Sequence, residues 1–298
     1  MKILLFGKGG QAGWELQRSL APLGELVALG TGSQDLCGDF TKPEGIAQTV
    51  RKVEPDIIVN AAAYTSVDKA ESEIELARII NAQTPGVLAQ EAKRSGAWLI
   101  HYSTDYVFDG SGDRPWLETD STGPLSIYGK TKLEGEAAIL ATGCRHLIFR
   151  TSWVYAARGG NFAKTMLKLA GERDSLNVIN DQIGAPTGAD LLADVTAHAI
   201  RTAIRQPELS GLYHLTAGGE TSWYDYALHL LDFARQNGVA LKTAQQAVKA
   251  IVTCDYPTAA QRPLNSRLST DKLKTAFDLR LPGWQVGVER MLTEILGK

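Results

Sequence analysis

Two side chains in the middle of the sequence have the types and the spacing needed to move a proton. Tyr128 and Lys132 lie four residues apart in a stretch with helical character from Ser126 to Leu140, so a helix would place them on one face. A free phenol has a pKa of about 10, but a neighbouring ammonium group favours the phenolate and lowers that pKa. Tyr128 would then serve as a general acid or base. The spacing alone is common in helices, so its meaning depends on the segments around it.

Hydroxyl groups that could hold a substrate carbonyl beside this tyrosine occur in the segment S-T-D-Y-V-F-D-G, residues 103–110. This segment follows an apolar run that ends near Tyr102. In a parallel sheet the carboxyl ends of the strands face the ligand crevice, so either Ser103 or Thr104 could take this role. The alternative is that both hydroxyls only cap the next segment.

A glycine-rich turn directly follows the first apolar run of the chain. Its sequence, G-K-G-G-Q-A-G at residues 7–13, fits a G-x-x-G-x-x-G pattern and also a G-x-G-x-x-A pattern. Glycines allow a tight turn and let backbone N–H groups approach a pyrophosphate at the positive end of a helix. The alternative is a plain tight turn. We expect a dinucleotide cofactor to contact Gly7, Gly9, Gly10, Gln11, Ala12 and Gly13.

The loop after the second apolar run bears on the choice of cofactor. An NAD site usually carries an acidic residue there, bonded to the ribose hydroxyls, whereas the loop L-G-T-G-S at residues 29–33 has none. A 2′-phosphate would meet no repulsion, and Thr31 and Ser33 could donate hydrogen bonds to it. No arginine lies in the loop, so we predict NADPH with NADH tolerated. The alternative is that the loop merely turns the chain.

The elements that must position these residues are typical of an α/β fold. Continuous apolar runs alternate with amphipathic segments, which predicts strands covered by helices on both faces, in a doubly wound parallel, Rossmann-type sheet. The expected strands are residues 3–6, 26–29, 56–60, 97–103 and 145–150. We predict a dinucleotide-binding domain at residues 1–150, rejoined by about 176–206, and a smaller, interleaved substrate-binding domain within 151–298.

Composition narrows the classes of partner. The net charge of −2 gives no general affinity for nucleic acid or for an anionic membrane. The three cysteines are far apart and odd in number, which argues against a disulfide framework, and the five histidines lack close ligand spacing. No apolar stretch approaches the length of a membrane span or of a signal peptide. We therefore expect a soluble, cytoplasmic protein.

Taken together, these motifs resemble the extended short-chain dehydrogenase/reductase family. The resemblance covers essentially the whole chain and includes N-A-A-A-Y at 60–64, R-T-S-W-V-Y at 150–155, D-Q-I-G-A-P-T at 181–187 and R-P-L-N-S at 262–266. It implies NADPH-dependent reduction of the 4-keto group of a dTDP-linked sugar, dTDP-4-dehydro-L-rhamnose. It also implies a possible homodimer linked by Mg²⁺, whose ligands the sequence does not assign.

The resemblance further implies roles for individual residues. The catalytic group falls on Thr104, Tyr128 and Lys132, of which Tyr128 and Lys132 also contact the cofactor, and Thr104 and Tyr128 the substrate. The additional cofactor positions are Asp39, Phe40, Ala62, Ala63 and Tyr64, and the additional substrate positions are Thr65, Val67, Asp105, Tyr106, Trp153 and Arg262.

Two other functions use the same scaffold. A sugar-nucleotide dehydratase typically has Asp-Glu after the catalytic threonine, but here Asp105 is followed by Tyr106. An epimerase usually keeps NAD bound through the acidic residue that is missing here. A non-catalytic nucleotide-binding subunit, as in the regulatory subunit of methionine adenosyltransferase, is disfavoured because the threonine, tyrosine and lysine are all present.

Overall fold

The computed structural model describes residues 1–297. The strands in chain order are Lys2–Phe6 (β1), Glu25–Leu29 (β2), Ile57–Asn60 (β3), Trp98–Thr104 (β4), Arg145–Thr151 (β5), Val154–Tyr155 (β6), Leu176–Ile179 (β7), Ile183–Gly184 (β8), Thr187–Gly188 (β9), Gly211–His214 (β10), Thr221–Ser222 (β11) and Val248–Ile251 (β12). The α-helices are Gln11–Leu20 (α1), Pro43–Val53 (α2), Val67–Ala70 (α3), Ile74–Arg78 (α4), Thr84–Ser95 (α5), Ile127–Thr142 (α6), Phe162–Glu172 (α7), Ala189–Arg205 (α8), Trp223–Gln236 (α9), Asp271–Phe277 (α10) and Trp284–Leu296 (α11).

A six-stranded parallel sheet forms the centre of the fold, in the order β10-β5-β4-β3-β1-β2. The strand order reverses between β1 and β3, so the crevice outside their carboxyl ends is where an open α/β sheet binds ligands. The glycine turn follows β1, and the 103–110 segment begins in the last residues of β4. The predicted Rossmann-type fold class is confirmed.

Both faces of the sheet are covered, which explains why its strands are continuous apolar runs. On one face Leu16 of α1 and Leu192 of α8 pack against the inner strands. On the other face Ile46 of α2, Leu88 of α5 and Ile139 of α6 do the same. All of these side chains are at most 1% exposed, so the sheet is a rigid support for the loops at its edge.

A separate apolar cluster lies within the C-terminal half of the chain. It joins α7, α9 and α11 around Tyr226 and Trp284, over the short parallel pair of β7 and β12. Residues 176–179 were expected to rejoin the dinucleotide-binding unit, and this prediction is wrong: they pair with Val248–Ile251, because Leu176 and Val178 are buried in this cluster. The later part of the predicted range, α8, packs on the large sheet, and β10 extends that sheet.

Among residues 1–297, no helix is both long enough and apolar enough to cross a lipid bilayer.

Candidate active site

The glycine turn is shaped by close backbone approaches. Gly7 has a φ of 85°, and a Cβ there would lie 2.6 Å from the Ala61 carbonyl carbon. A Cβ on Gly13 would lie 2.0 Å from the Gly7 oxygen, so α1 can approach the turn only through a glycine. Gly9 has no atom within 4 Å of its Cβ position, and Gly10 begins α1 without a side-chain cap. Open space and uncapped N–H groups at a helix start suit a pyrophosphate.

Two other predicted residues of this turn have structural partners. Gln11 donates from Nε2 to the Val154 carbonyl (3.4 Å) and accepts from Asn161 Nδ2 (3.1 Å), so it ties the turn to the C-terminal half. Ala12 packs against the core of the sheet. Neither side chain points freely into the crevice, and a contact to a cofactor would come from the backbone of this first helical turn.

At the end of β2 the structure adds a cation that the sequence analysis missed. The Lys8 backbone N–H donates to the Leu29 carbonyl (3.0 Å), and the lysine side chain passes Gly30, with its Cγ 3.5 Å from the Cβ position there. Ser33 Oγ accepts from the Gly30 N–H (3.1 Å) and Thr31 is exposed. Lys8 thus brings a positive charge to a loop that lacks arginine. This proximity arises from the tertiary structure and is not visible in the sequence.

Asp39 and Phe40, expected near the adenine, have different surroundings. Asp39 accepts from the Thr41 N–H (3.0 Å) and hydroxyl (2.8 Å), and these bonds with the nearby Lys42 charge lower its pKa against the effect of burial. The Phe40 side chain is buried against Phe6, with ring centroids 5.4 Å apart. Its carbonyl accepts from Thr84. Phe40 is therefore a core residue, and Asp39 is the polar member of the pair.

The segment after β3 is held by two asparagines. Asn60 accepts from the Ala62 N–H through Oδ1 (3.0 Å), and Asn81 accepts from the Tyr64 N–H (2.8 Å). Ala62, Ala63 and Tyr64 are all half-buried along the crevice side of the sheet edge. Their backbone is fixed in place, as a surface that lies along a cofactor requires.

Tyr128 lies in the first turn of α6, where Ser126 caps the helix by accepting from the Gly129 N–H (3.2 Å). Its ring packs edge-on against Tyr106, with centroids 5.5 Å apart. Burial raises the pKa of Tyr128 to about 12, while a hydrogen bond with Thr104 acts in the opposite direction. The phenol is therefore protonated at neutral pH and is poised to donate a proton.

Lys132 lies one turn further along α6 and is 2% exposed. Its Nζ donates to the Tyr102 carbonyl (2.6 Å) and lies 3.3 Å from Nε2 of His101. Burial lowers the pKa of Lys132 to about 8, with the charge of Glu136 opposing the change. The prediction that the ammonium lowers the pKa of Tyr128 is wrong for this structure, because the effect of burial dominates at the phenol.

The structure separates the two candidate hydroxyls on β4. Ser103 donates to Glu136, whose carboxylate is paired with Arg150 at 2.6 and 2.9 Å in the protein interior. Thr104 lies beside Tyr128, donates to Asp105 Oδ1 (3.0 Å) and accepts from the Tyr106 N–H (3.2 Å). Thr104 is the hydroxyl on the tyrosine side, and Ser103 belongs to a buried ion-pair network.

Two of the remaining predicted substrate residues line a cavity of ≈ 700 Å³, which reaches the Tyr128 ring through its contact with Tyr106. Tyr106 and Arg262 line it, and Arg262 is held by Asp68 at 2.7 and 3.2 Å. Trp153, at a φ of 49°, stacks on the lining residue Trp223 with centroids 3.6 Å apart. A tryptophan in this left-handed region is strained, and such strain is typical of ligand sites.

Three further positions complete the comparison with the sequence prediction. Asp105 is buried behind Thr104, and burial raises its pKa to about 6. Thr65 is exposed and Val67 begins α3, both in the segment that also carries Asp68.

The sequence did not predict Gln182 and Trp223, which line the cavity. The Trp223 indole N–H donates to the Gln182 side-chain oxygen (3.2 Å). The run of aromatic residues at 223–226 was the available signal.

No group of three or more His, Cys, Asp or Glu side chains suited to a metal ion occurs within residues 1–297 of a single chain.

Comparison with known proteins agrees with this geometry. The model of the family described as RmlD substrate binding domain matches residues 1–296. A dTDP-4-dehydrorhamnose reductase of Salmonella typhimurium is 62% identical over 295 residues, which cover 99% of this chain and 98% of the relative. A solved dTDP-4-dehydrorhamnose reductase of Clostridium acetobutylicum is 35% identical with a TM-score of 0.88, covering 100% of both chains.

A solved dTDP-4-dehydrorhamnose reductase of Bacillus anthracis, in complex with NADP, is 33% identical with a TM-score of 0.86 and covers 98% of this chain and 99% of its own. The matches extend over both the central sheet and the C-terminal half that carries the cavity. The chain therefore belongs to the RmlD substrate binding domain family.

Proposed function

We propose that this chain is an NADPH-dependent oxidoreductase that reduces the 4-keto group of dTDP-4-dehydro-L-rhamnose to give dTDP-L-rhamnose. The observation that carries the proposal is the protonated, half-buried phenol of Tyr128 beside the Thr104 hydroxyl at the carboxyl end of β4. A reduction needs a proton donor at this point, and the relatives with 62% identity are dTDP-4-dehydrorhamnose reductases.

The residues of the chain divide the work of the reaction. When bound, NADPH supplies the hydride that adds to the carbonyl carbon of the sugar. The Thr104 hydroxyl holds the ketone oxygen, and Tyr128 donates its O–H proton to that oxygen as negative charge develops on it. The Lys132 ammonium, one turn further along α6 and 2% exposed, would stabilise the phenolate that is left.

Binding is assigned to two regions, the glycine turn and the cavity. The turn at Gly7, Gly9 and Gly13 fits a pyrophosphate because its open face has no side chain to displace. The cavity that Tyr106 and Arg262 line fits the nucleoside diphosphate and sugar of the substrate, with the guanidinium toward the phosphates. The Bacillus anthracis relative in complex with NADP supports NADPH as the cofactor, and we propose that NADH is tolerated.

We also propose a Mg²⁺-linked homodimer, a cytoplasmic location and a division of the chain into two domains. A Mg²⁺-linked homodimer would need ligands from two copies, since the described part of one chain holds no suitable cluster. A cytoplasmic location is supported by the three cysteines, all of which are free thiols in residues 1–297. In the proposed division, the cofactor site of the domain at 1–150 and the substrate site of the domain at 151–298 would meet at the crevice of the sheet.

The test is the loss of NADPH absorbance on addition of dTDP-4-dehydro-L-rhamnose, with the sugar product identified. Tyr128→Phe removes the donated proton, and we expect turnover to fall roughly 10²–10⁴-fold, the scale of general acid catalysis. Tyr213→Phe is the matched control, because the Tyr213 hydroxyl is also partly buried but donates to the Leu209 carbonyl (2.8 Å), away from the proposed site. Near-normal turnover by Tyr128→Phe, or substrate conversion without net loss of NADPH, would contradict the proposal; the latter would indicate an epimerase.

A further inference from the structure

A chain of buried polar side chains lies directly behind Lys132. Asn60, the last residue of β3, is paired in register with His101 of β4. The Asn60 Nδ2 lies 2.9 Å from His101 Nδ1, and His101 Nε2 lies 3.3 Å from the Lys132 Nζ. Asn60 and His101 are each 1% exposed, so bulk solvent does not reach either side chain. The proposed reaction assigns no task to either residue.

The backbone fixes the orientation of this chain. The Ala62 N–H donates to Asn60 Oδ1 (3.0 Å), so the amide nitrogen of Asn60 must be the atom that faces His101. An amide nitrogen only donates, and therefore His101 Nδ1 must accept. Burial holds the pKa of His101 well below its usual value, so the ring is neutral and carries its one proton on Nε2. That N–H points at Lys132.

An N–H aimed at Lys132 distinguishes between the two forms of the lysine. The ammonium has no lone pair and cannot accept from His101, whereas the neutral amine has one lone pair and can. The neutral amine still has a hydrogen to donate to the Tyr102 carbonyl, 2.6 Å away. The arrangement of Asn60 and His101 therefore stabilises Lys132 in the state in which it has just given up a proton.

We propose that His101, oriented by Asn60, is a positioning residue that donates its Nε2–H to Lys132 and so makes this lysine a proton source for Tyr128. The inference rests on the proposed reductase function. After Tyr128 has given its proton to the sugar oxygen, one N–H bond of the Lys132 ammonium breaks and the phenol O–H bond forms again. The neutral amine accepts the hydrogen bond from His101 until water returns the proton.

The charges around Lys132 are consistent with this exchange. Glu136, on the same helix, favours the ammonium, but its carboxylate is already bound by Arg150 of β5 and by Ser103 of β4. Asp105 acts on Tyr128 rather than on Lys132. Burial lowers the pKa of Lys132 to about 8, within reach of exchange at neutral pH.

The first experiment is a measurement of the His101 tautomer by NMR on protein labelled with ¹⁵N-histidine. A bare and a protonated ring nitrogen give well-separated ¹⁵N signals, and the His101→Gln variant identifies the pair that belongs to His101. We expect the proton on Nε2. A proton on Nδ1 would overturn the proposal. If His101→Gln does not fold, the Asn60→Asp variant described below identifies the His101 signals, because they belong to the ring whose tautomer changes in that variant.

The second experiment uses Asn60→Asp, which keeps the shape of the side chain but replaces a donor with an acceptor. The carboxylate can accept from both the Ala62 N–H and His101 Nδ1–H, which moves the ring proton to Nδ1 and leaves Nε2 to accept from the Lys132 ammonium. Lys132 then keeps its proton to higher pH. We expect the decline of turnover at alkaline pH to move upward by about 1 pH unit, a tenfold change in proton affinity.

Asn81→Asp is the matched control. Asn81 is also 1% exposed and also accepts a backbone N–H of the segment after β3, but its Nδ2 bonds the Tyr64 carbonyl and Thr131 rather than His101. We expect its alkaline limb to stay within half a pH unit of the unmodified protein. Equal shifts in both variants, or no shift in Asn60→Asp, would refute the role of His101. Absent NADPH oxidation with the Nε2–H tautomer intact would instead refute the proposed function.

Discussion

Replacement of Gly129 by alanine tests whether backbone contact positions the catalytic phenol. Gly129 follows Tyr128 in the first turn of α6, and a Cβ there would lie 2.2 Å from the Tyr106 carbonyl oxygen. Real Cβ atoms essentially never approach within 3.0 Å, so α6 and the turn at Tyr106 must separate by about 0.8 Å, the difference of the two distances. The neighbours in conflict are backbone atoms, which cannot rotate away.

This displacement would move Tyr128 relative to Thr104 by nearly 1 Å. A misplacement of that size costs about 10²-fold in rate, so we expect kcat/KM to fall by that order. The free energy of unfolding should fall by about 0–2 kcal/mol, because overpacking costs about 1–3 kcal/mol whereas alanine gains up to about 1 kcal/mol in a helix. The assay is NADPH oxidation with the dTDP-sugar, together with thermal unfolding.

Gly171→Ala is the control for helix propensity. Gly171 lies in the last turn of α7, and its Cβ position has no neighbour within 4 Å, so alanine should raise stability by about 0.5–1 kcal/mol and leave turnover unchanged. If Gly129→Ala keeps kcat/KM within threefold of the unmodified protein at an unchanged Tm, the contact between α6 and Tyr106 does not position the phenol.

Three further outcomes are expected. Thr104→Val should lower kcat about 10²–10³-fold because it removes a donor to the ketone oxygen. Ser103→Ala should lower the free energy of unfolding and have a smaller effect on kcat. A larger loss of kcat in Ser103→Ala than in Thr104→Val would assign the role to the Ser103 hydroxyl. The folded-state pKa of Asp105, about 6, exceeds its usual 3.8, so ionisation of this carboxyl destabilises the fold progressively as the pH rises from 3.8 to about 6 and fully above that. Asp105→Asn should therefore raise the free energy of unfolding by up to about 3 kcal/mol at pH 7.5 and by little at pH 4, measured by urea unfolding. A gain equal at both pH values would refute this. Lys8→Glu should reduce the ratio of kcat/KM for NADPH to that for NADH roughly tenfold, or about 1.4 kcal/mol, and an unchanged ratio would show that Lys8 does not approach the 2′-phosphate.

The sequence alone was sufficient to predict the fold class, which is confirmed, and it supplied the catalytic group that we propose. Continuous apolar runs predict buried parallel strands because helices cover both faces, and β1, β3 and β4 are buried along nearly their whole length. A glycine turn after β1 and the four-residue spacing of Tyr128 and Lys132 are local patterns, which the neighbouring residues determine. Local patterns of this kind can be recognised without knowledge of the contacts that distant residues make.

Tertiary structure decided the properties that depend on burial and on distant partners. The pKa of Tyr128 rises because the protein desolvates it, although the nearby lysine predicted a decrease. Residues 176–179 pair with β12 because their apolar side chains have a second core to enter, which no local pattern distinguishes from the first.

Around the site, too, the sequence showed which residue types are present, whereas their partners became visible only in the folded chain. Thr104 and Ser103 are adjacent and chemically similar, and only the positions of Glu136 and Tyr128 show that they face different environments. His101 approaches Lys132 through a contact between residues 31 positions apart, and Lys8 reaches the end of β2 through strand pairing. Residue types and spacing therefore determine which chemistry is available, whereas solvent exclusion and long-range contacts determine which group carries the proton, because both arise only when the chain is folded.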